Sequence, residues 1–279
     1  MSGWKKVLYI RQNVPDNYVD DSFLDQMKNN LNSHTYDYWT VVLQSGVVTQ
    51  QICSVCIFVA VFLYMSNDWL DPRTVFIASS LLSVIGYICY DQMTSSTPRV
   101  DNRTRYDDVK SAVMFVVFGF GLSPILMTLT ETISTDTIYA MTTFMLLSNI
   151  CFHDYGATAA VVSGALSFNA AIFASVCLAS RFDTTWHTFS TITFAVEIFA
   201  LWPELRRKIK LKIPHGLLGM TFVMVIVTCT MLVCVSPVGA ILLLGTVLFI
   251  TFICPYWLIK LQPYKNNIHG PWDEAVIKE

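Results

Sequence analysis

Charged side chains are scarce in this chain: only 14% of its 279 residues are Asp, Glu, Lys or Arg. Soluble domains of this size carry roughly 25%, and the 54% apolar residues here fall in long blocks. An ordinary globular core is therefore excluded. The net charge of −2 leaves no global basic field for nucleic acid and no acidic tail. Catalytic signatures are missing as well. There is no P-loop, dinucleotide-binding glycine fingerprint, HExxH or GxSxG, and no Asp-x-Asp for chelating the metal of a sugar nucleotide. The longest connection after the first apolar run spans about 20 residues, whereas a nucleotide-sugar domain needs roughly 100. Polar residues inside the apolar runs are few and scattered, which argues against an ion-coupled pump. Residues 1–40 contain no continuous apolar stretch, so no signal peptide is expected and the first apolar run serves as the targeting signal.

The eight cysteines do not suggest a disulfide framework, because all lie inside apolar runs. Cys53 and Cys56 have metal-like spacing but no second pair or His cluster beside them, so no metal site and no cofactor are expected.

What is present is a series of runs long enough, at about 20 residues, to cross a hydrocarbon core as helices. Eight are found: 46–65, 74–90, 111–129, 137–152, 156–180, 185–202, 216–235 and 238–259, the second and fourth being short. The predicted fold is all-α, a polytopic membrane bundle of about eight helices. A segment over 1–45 precedes the bundle at 46–259, and a tail over 260–279 follows it. Positive charge tests the count. Lys and Arg accumulate in cytoplasmic loops, and with eight spans sixteen of the 18 lie on one side, leaving only Arg73 and Arg181 opposite. Both termini are then cytoplasmic, and the sequon Asn102-Arg103-Thr104 stays in the cytosol without glycan.

Before the first run, Ser22 and Asp25 form a capping box, and Phe23, Leu24, Met27 and Leu31 share one face of an amphipathic helix. It suits the membrane surface or a soluble partner. In the fifth run fifteen of 25 residues are Gly, Ala, Ser or Thr. Gly156, Ala160 and Gly164 recur every fourth position, the spacing by which lipid-buried helices approach closely, and a central helix is expected there. Asn169 in the same run suits an interhelical hydrogen bond or a ligand. Glu197, the one carboxylate well inside a run, suits a lipid or partner contact, or a bond to a neighbouring helix. Asp154, in the turn His153-Asp154-Tyr155-Gly156, is placed to cap the fifth helix. Glu131 and Asp136 belong to a Thr-rich turn on the opposite side. Arg206-Arg207-Lys208, followed by Lys210 and Lys212, is a juxtamembrane basic cluster that sets topology or attracts anionic phosphoinositide.

Longer stretches carry a resemblance. Pro15-Asp16-Asn17-Tyr18-Val19-Asp20, Leu129-Thr130-Glu131, Ser134-Thr135-Asp136-Thr137-Ile138-Tyr139-Ala140-Met141 and Asp154-Tyr155-Gly156-Ala157 are among them. So are Ala171-Ile172-Phe173-Ala174-Ser175-Val176-Cys177-Leu178-Ala179-Ser180-Arg181, Phe199-Ala200-Leu201-Trp202-Pro203 and Asn267-Ile268-His269-Gly270-Pro271-Trp272-Asp273-Glu274-Ala275. Spread from near the start of the chain to its end, they resemble the PIG-C family of membrane subunits of phosphatidylinositol N-acetylglucosaminyltransferase. The resemblance implies a multi-pass protein of the endoplasmic reticulum membrane that is no enzyme on its own and has no catalytic residue. It implies a role in the first step of glycosylphosphatidylinositol (GPI) anchor synthesis, in which a complex transfers N-acetylglucosamine from UDP-N-acetylglucosamine to phosphatidylinositol. The implied partners are the catalytic PIG-A, with PIG-H, PIG-P, PIG-Q and PIG-Y, and membrane lipid; no nucleic acid is expected. Holding the complex in the membrane and presenting the lipid acceptor is the implied task. A polytopic lipid transporter or scramblase is the competing reading. Glu197, Asn169, Asp154, Arg206 and Arg207 are the lipid- or partner-contact candidates, and they come from membrane physics rather than from a family motif.

Overall fold

The computed structural model describes residues 36–94, 104–156, 163–213 and 216–264, together with Arg11 and the segments 28–29 and 268–269. The expected amphipathic helix falls almost wholly outside these residues, as do Asn102 and Ala160. Where it is described, at Lys28–Asn29, the backbone is not helical. It forms a two-residue strand, β1, paired antiparallel with β2 (Ile268–His269). That pairing joins the segment before the bundle to the tail after it.

All else that is regular is helical. The helices are α1 (Tyr38–Ser66), α2 (Pro72–Thr94), α3 (Arg105–Thr128), α4 (Thr135–Phe152) and α5 (Gly164–Ala179). They continue with α6 (Thr185–Val196), α7 (Trp202–Lys212), α8 (Gly216–Val235), α9 (Pro237–Leu248) and α10 (Cys254–Leu261). A π-helical turn, Glu197–Leu201, joins α6 to α7, and another, Phe249–Ile253, joins α9 to α10. The described helices therefore form eight continuous rods, one for each apolar run. Five of them are long and apolar enough to cross a membrane.

Local chemistry explains where the rods start. Asp37, Thr104, Ser134, Ser163, Thr184 and Ser236 all have extended backbone, and each side chain accepts from an N–H of the following first turn. At Thr104 the cap is reciprocal, since Asp107 accepts from the Thr104 N–H at 2.9 Å. The π turns share one cause. Pro203 and Pro255 have no N–H to give the carbonyl four residues back, and their rings crowd it. Each rod widens just before its proline, so that Trp202 N–H bonds Glu197 O and Cys254 N–H bonds Phe249 O.

Of the five rods long and apolar enough to cross a membrane, α1 is the most buried, and α5 in the small-residue fifth run is itself half buried. Over its most apolar stretch 56% of α1 is buried, against 6–11% for α2, α3, α8 and the last rod, which present apolar side chains outward. Such faces are expected where lipid is the solvent. α1 packs along α8 and touches α4 and α6, while α6 packs on α2, α3 and α5. Phe58 of α1 is fully buried between Phe194 and Phe199, with ring centroids 6.3 and 5.4 Å away. Ala171 and Ala174 of α5 belong to the same core and are completely buried. Small residues do let α5 approach its neighbours closely, but the register is not the expected one. Gly156 lies outside the helix at φ +89°, and nothing stands within 4 Å of a side chain placed at Gly164.

A buried layer of polar groups crosses the bundle. Gln51 of α1 donates to Asn149 Oδ1 of α4 at 2.8 Å, and Asn149 donates to the Ser167 carbonyl and hydroxyl of α5, both at 2.9 Å. The neighbouring Gln50 donates to Thr221 Oγ1 of α8 at 2.8 Å.

Charges meet within two groups that match the two expected sides. Arg105 pairs with Asp91 at 2.8 Å, and Lys208 lies over the Tyr90 ring. At the other end of the rods Arg73 lies over Trp186, and Arg181 donates to the carbonyls of Thr130 and Ile133. Thr130 also shares a hydrogen bond with Ser180. Overpacking the core is expected to cost about 1–3 kcal/mol. Ala174→Leu should accordingly lower the thermal midpoint of the detergent-solubilised protein, while Leu166→Ala on the exposed face of the same helix should leave it nearly unchanged.

Candidate functional site

The site begins where α4 stops. His153 has extended backbone after Phe152, and the chain then turns through Asp154, Tyr155 and Gly156. Asp154 does not cap the fifth helix as expected. Its Oδ1 accepts from the Gly156 N–H at 2.8 Å, closing an Asx turn, and Ser163 caps α5 in its place. The left-handed φ of Gly156 completes that turn at no steric cost for glycine. Tyr155 folds back, its hydroxyl donating to the Ile150 carbonyl at 2.6 Å, and its ring meets the edge of His153.

Against this turn lies α7, carrying the basic cluster. Arg206 is only 3% exposed, although it is a permanent cation. Its Nη1 donates to the Val47 carbonyl of α1 at 3.4 Å, and its Nη2 lies 2.6 Å from His153 Nε2. A guanidinium only donates, so Nε2 is the acceptor and the imidazole proton sits on Nδ1. His153 is consistent with that role. Burial and the Arg206 charge push its pKa down to about 4, with Asp154 opposing weakly. Burial also lowers Arg206, to about 10, which leaves it charged at neutral pH. Tyr155 is pushed up by burial and keeps its proton. No carboxylate lies within ion-pair distance of Arg206 among the described residues. Arg207, by contrast, is exposed and pairs with Glu204 at 3.3 Å, a contact worth at most about 1 kcal/mol.

These elements enclose a cavity of about 420 Å³. Arg206, Arg207, Lys210, His153 and Asp154 give it a polar, mainly basic lining, and Phe168, Phe199 and Ala200 give it an apolar wall. Ser167, a member of the polar layer, lines it as well. Gly156 and Gly164, expected to pack helices, border this space instead.

Three of the five contact candidates, Asp154, Arg206 and Arg207, thus converge. The other two do not. Asn169 points outward from α5 and bonds no neighbouring helix among the described residues. Glu197 sits at the first position of a π turn and faces Ser79, Ser80 and Ser83 of α2, with its Oε2 unpartnered. Sequence reasoning missed His153 as a partner of Arg206, and missed Gln50, Gln51 and Asn149. The available signal was the amide groups themselves, since a Gln pair and an Asn inside apolar runs must find partners.

The chain matches the family model described as GPI2: Phosphatidylinositol N-acetylglucosaminyltransferase over residues 4–273. It is 50% identical to a Bos taurus protein named as a subunit of phosphatidylinositol N-acetylglucosaminyltransferase, covering 99% of this chain and 93% of the relative. The Homo sapiens protein of the same name is 49% identical over the same shares. A Schizosaccharomyces pombe protein, named as the GPI2 subunit of that transferase, is 39% identical over 99% of this chain and 87% of its own length. No solved structure matches the chain.

Acid should loosen this site. An unfolded His153 takes up a proton near pH 6.5, whereas the folded one resists until about 4, so stability is full above pH 6.5 and is lost as the pH falls through that interval. The thermal midpoint should drop between pH 6.5 and 4 more steeply in the native protein than in His153→Gln, whose amide oxygen still accepts from Arg206.

Proposed function

The chain belongs to the GPI2 family, phosphatidylinositol N-acetylglucosaminyltransferase, and from that membership we propose that it is the non-catalytic membrane subunit of the transferase complex. It holds the complex in the bilayer and presents the lipid acceptor, phosphatidylinositol, to a partner that binds UDP-N-acetylglucosamine. The observation that carries this reading is the continuity of the family match along a chain whose described part is a bundle of apolar rods. Transfer chemistry then belongs to another protein of the assembly, PIG-A, with PIG-H, PIG-P, PIG-Q and PIG-Y completing it in the endoplasmic reticulum membrane.

The proposed topology has eight spans with both termini in the cytosol. The asymmetry of Lys and Arg supports it, and so does the β1–β2 pairing, which joins the two terminal segments on one side. The cavity then opens at the cytosolic end of the bundle, because His153 and Arg206 both lie at rod ends assigned to that side. Glu197 and Asn169, which do not line the cavity, are proposed as lipid or partner contacts.

Extraction in mild detergent tests the proposal. The tagged chain should bring with it a glycosyltransferase that has a soluble catalytic domain, and the assembly should transfer N-acetylglucosamine to phosphatidylinositol. The chain stripped of partners should show neither turnover nor movement of labelled lipid between liposome leaflets. Turnover by the lone chain would contradict the non-catalytic role, and lipid movement would favour a transporter or scramblase.

A further inference from the structure

We infer that the cavity bordered by α5, α7 and the turn after α4 is a phosphate site that takes the phosphodiester of a net-anionic glycerophospholipid headgroup. This rests on the membrane-subunit reading above and adds to it a location and a set of roles. The first observation is the buried charge. Taking a guanidinium out of water costs several kcal/mol unless an anion or a full set of acceptors compensates it. Arg206 is almost wholly buried and lines the cavity, and its two contacts, the Val47 carbonyl and His153 Nε2, are both uncharged. The His153 ring remains neutral beside it, so it orients the guanidinium without adding charge. An anion is what this arrangement lacks.

The second observation is the convergence of other positive ends on the same space. Lys210 and Arg207 stand at the rim. The N-terminal end of α5 borders it at Gly164, adding the partial positive charge of a helix start. Two carboxylates also line the cavity, and each is engaged: Asp154 by the Gly156 N–H and Glu204 by Arg207. Lys210 enters no ion pair with them.

The third observation selects the source of the phosphate. Phe168, Phe199, Ala200 and Val47 make one side of the cavity apolar. A free phosphate ion has no use for that wall, whereas the glycerol and first acyl carbons of a lipid cover it. The volume of about 420 Å³ falls in the usual range for small-molecule sites, roughly 300–1,000 Å³. In the assigned pose Arg206 binds the phosphodiester oxygens from within, Lys210 contacts them from the rim, and the acyl chains leave along the aromatic wall.

The test uses the assembled complex in detergent micelles. Radiolabelled phosphatidylinositol or phosphatidylcholine is added, bound lipid is counted after gel filtration, and inorganic phosphate is titrated as competitor. The native complex should retain phosphatidylinositol in preference to phosphatidylcholine, and phosphate should displace it only in large excess. Lys210→Gln should weaken retention about fivefold, the equivalent of one surface charge, and Arg206→Gln should abolish it. If Arg206→Gln fails to assemble, Arg206→Lys takes its place and should still show weakened retention, because it keeps the charge but loses the fork. Unchanged retention in both Lys210→Gln and Arg206→Lys would overturn the site. Inorganic phosphate binding as well as the lipid would overturn the lipid source. Loss of the catalytic partner from the Lys210→Gln complex would make the cavity a protein socket and overturn the lipid assignment. Failure of the native chain to assemble would strike the proposed function instead.

Discussion

Hydrocarbon offers no water to a polar group, so each amide or hydroxyl inside a membrane bundle must be satisfied by the chain itself or by a ligand. That constraint organises this molecule. α1 carries Thr49, Gln50, Gln51 and Ser54 within two turns, all completely buried. The Nε2 donors of the two amides reach other rods: Asn149 on α4 for Gln51, Thr221 on α8 for Gln50, and through Asn149 the Ser167 group of α5, while Thr49 Oγ1, Gln50 Oε1 and Gln51 Oε1 accept or donate nothing among the described residues. Dispersion packing around Phe58 brings the same rods close, but it is tolerant of rotation. The amides are directional. They fix which face of α1 meets which neighbour.

The polar layer reaches the cavity through Ser167. Val47, whose carbonyl accepts from Arg206, lies about one helical turn from Gln50 and Gln51, and Ser167 belongs to both the layer and the cavity lining. The end of the bundle bearing the basic cluster is therefore built on hydrogen bonds that continue into the membrane interior. An Arg held by a neutral His and a backbone carbonyl is a poor structural device if stability is the only aim, since an apolar side chain of similar volume would avoid the desolvation cost. Its retention in a buried position fits a site whose counter-charge arrives with a ligand. The proline-induced π turn immediately before α7 serves the same region, because the widened backbone sets the direction in which Arg206 and Lys210 leave the rod.

Much of this was legible in the residues. The rods coincide with the apolar runs because length and apolarity are what the bilayer selects. Charge asymmetry assigned Arg206 and His153 to one end, where they indeed meet. The failures have definite causes. Gly156, Ala160 and Gly164 share a spacing, but spacing assumes that the helix is already continuous at Gly156. The Asx turn at Asp154 shows that it is not, and α5 starts only at Gly164. Asn169 and Asn149 are the same residue type in adjacent runs, yet one points outward and the other is buried. Only the tertiary arrangement distinguishes them, because the orientation of a helix about its own axis is weakly encoded when the surrounding solvent is as apolar as the core.

The most direct test of the central claim is a double-mutant cycle on Gln51→Leu and Asn149→Leu, read as thermal stability of the protein in lipid nanodiscs. If the amide pair holds α1 against α4, each single variant destabilises the fold and the double variant loses less than the sum, with a coupling of about 0.6–2 kcal/mol. Strictly additive losses would mean that the two amides act independently, and that packing alone positions α1 against α4.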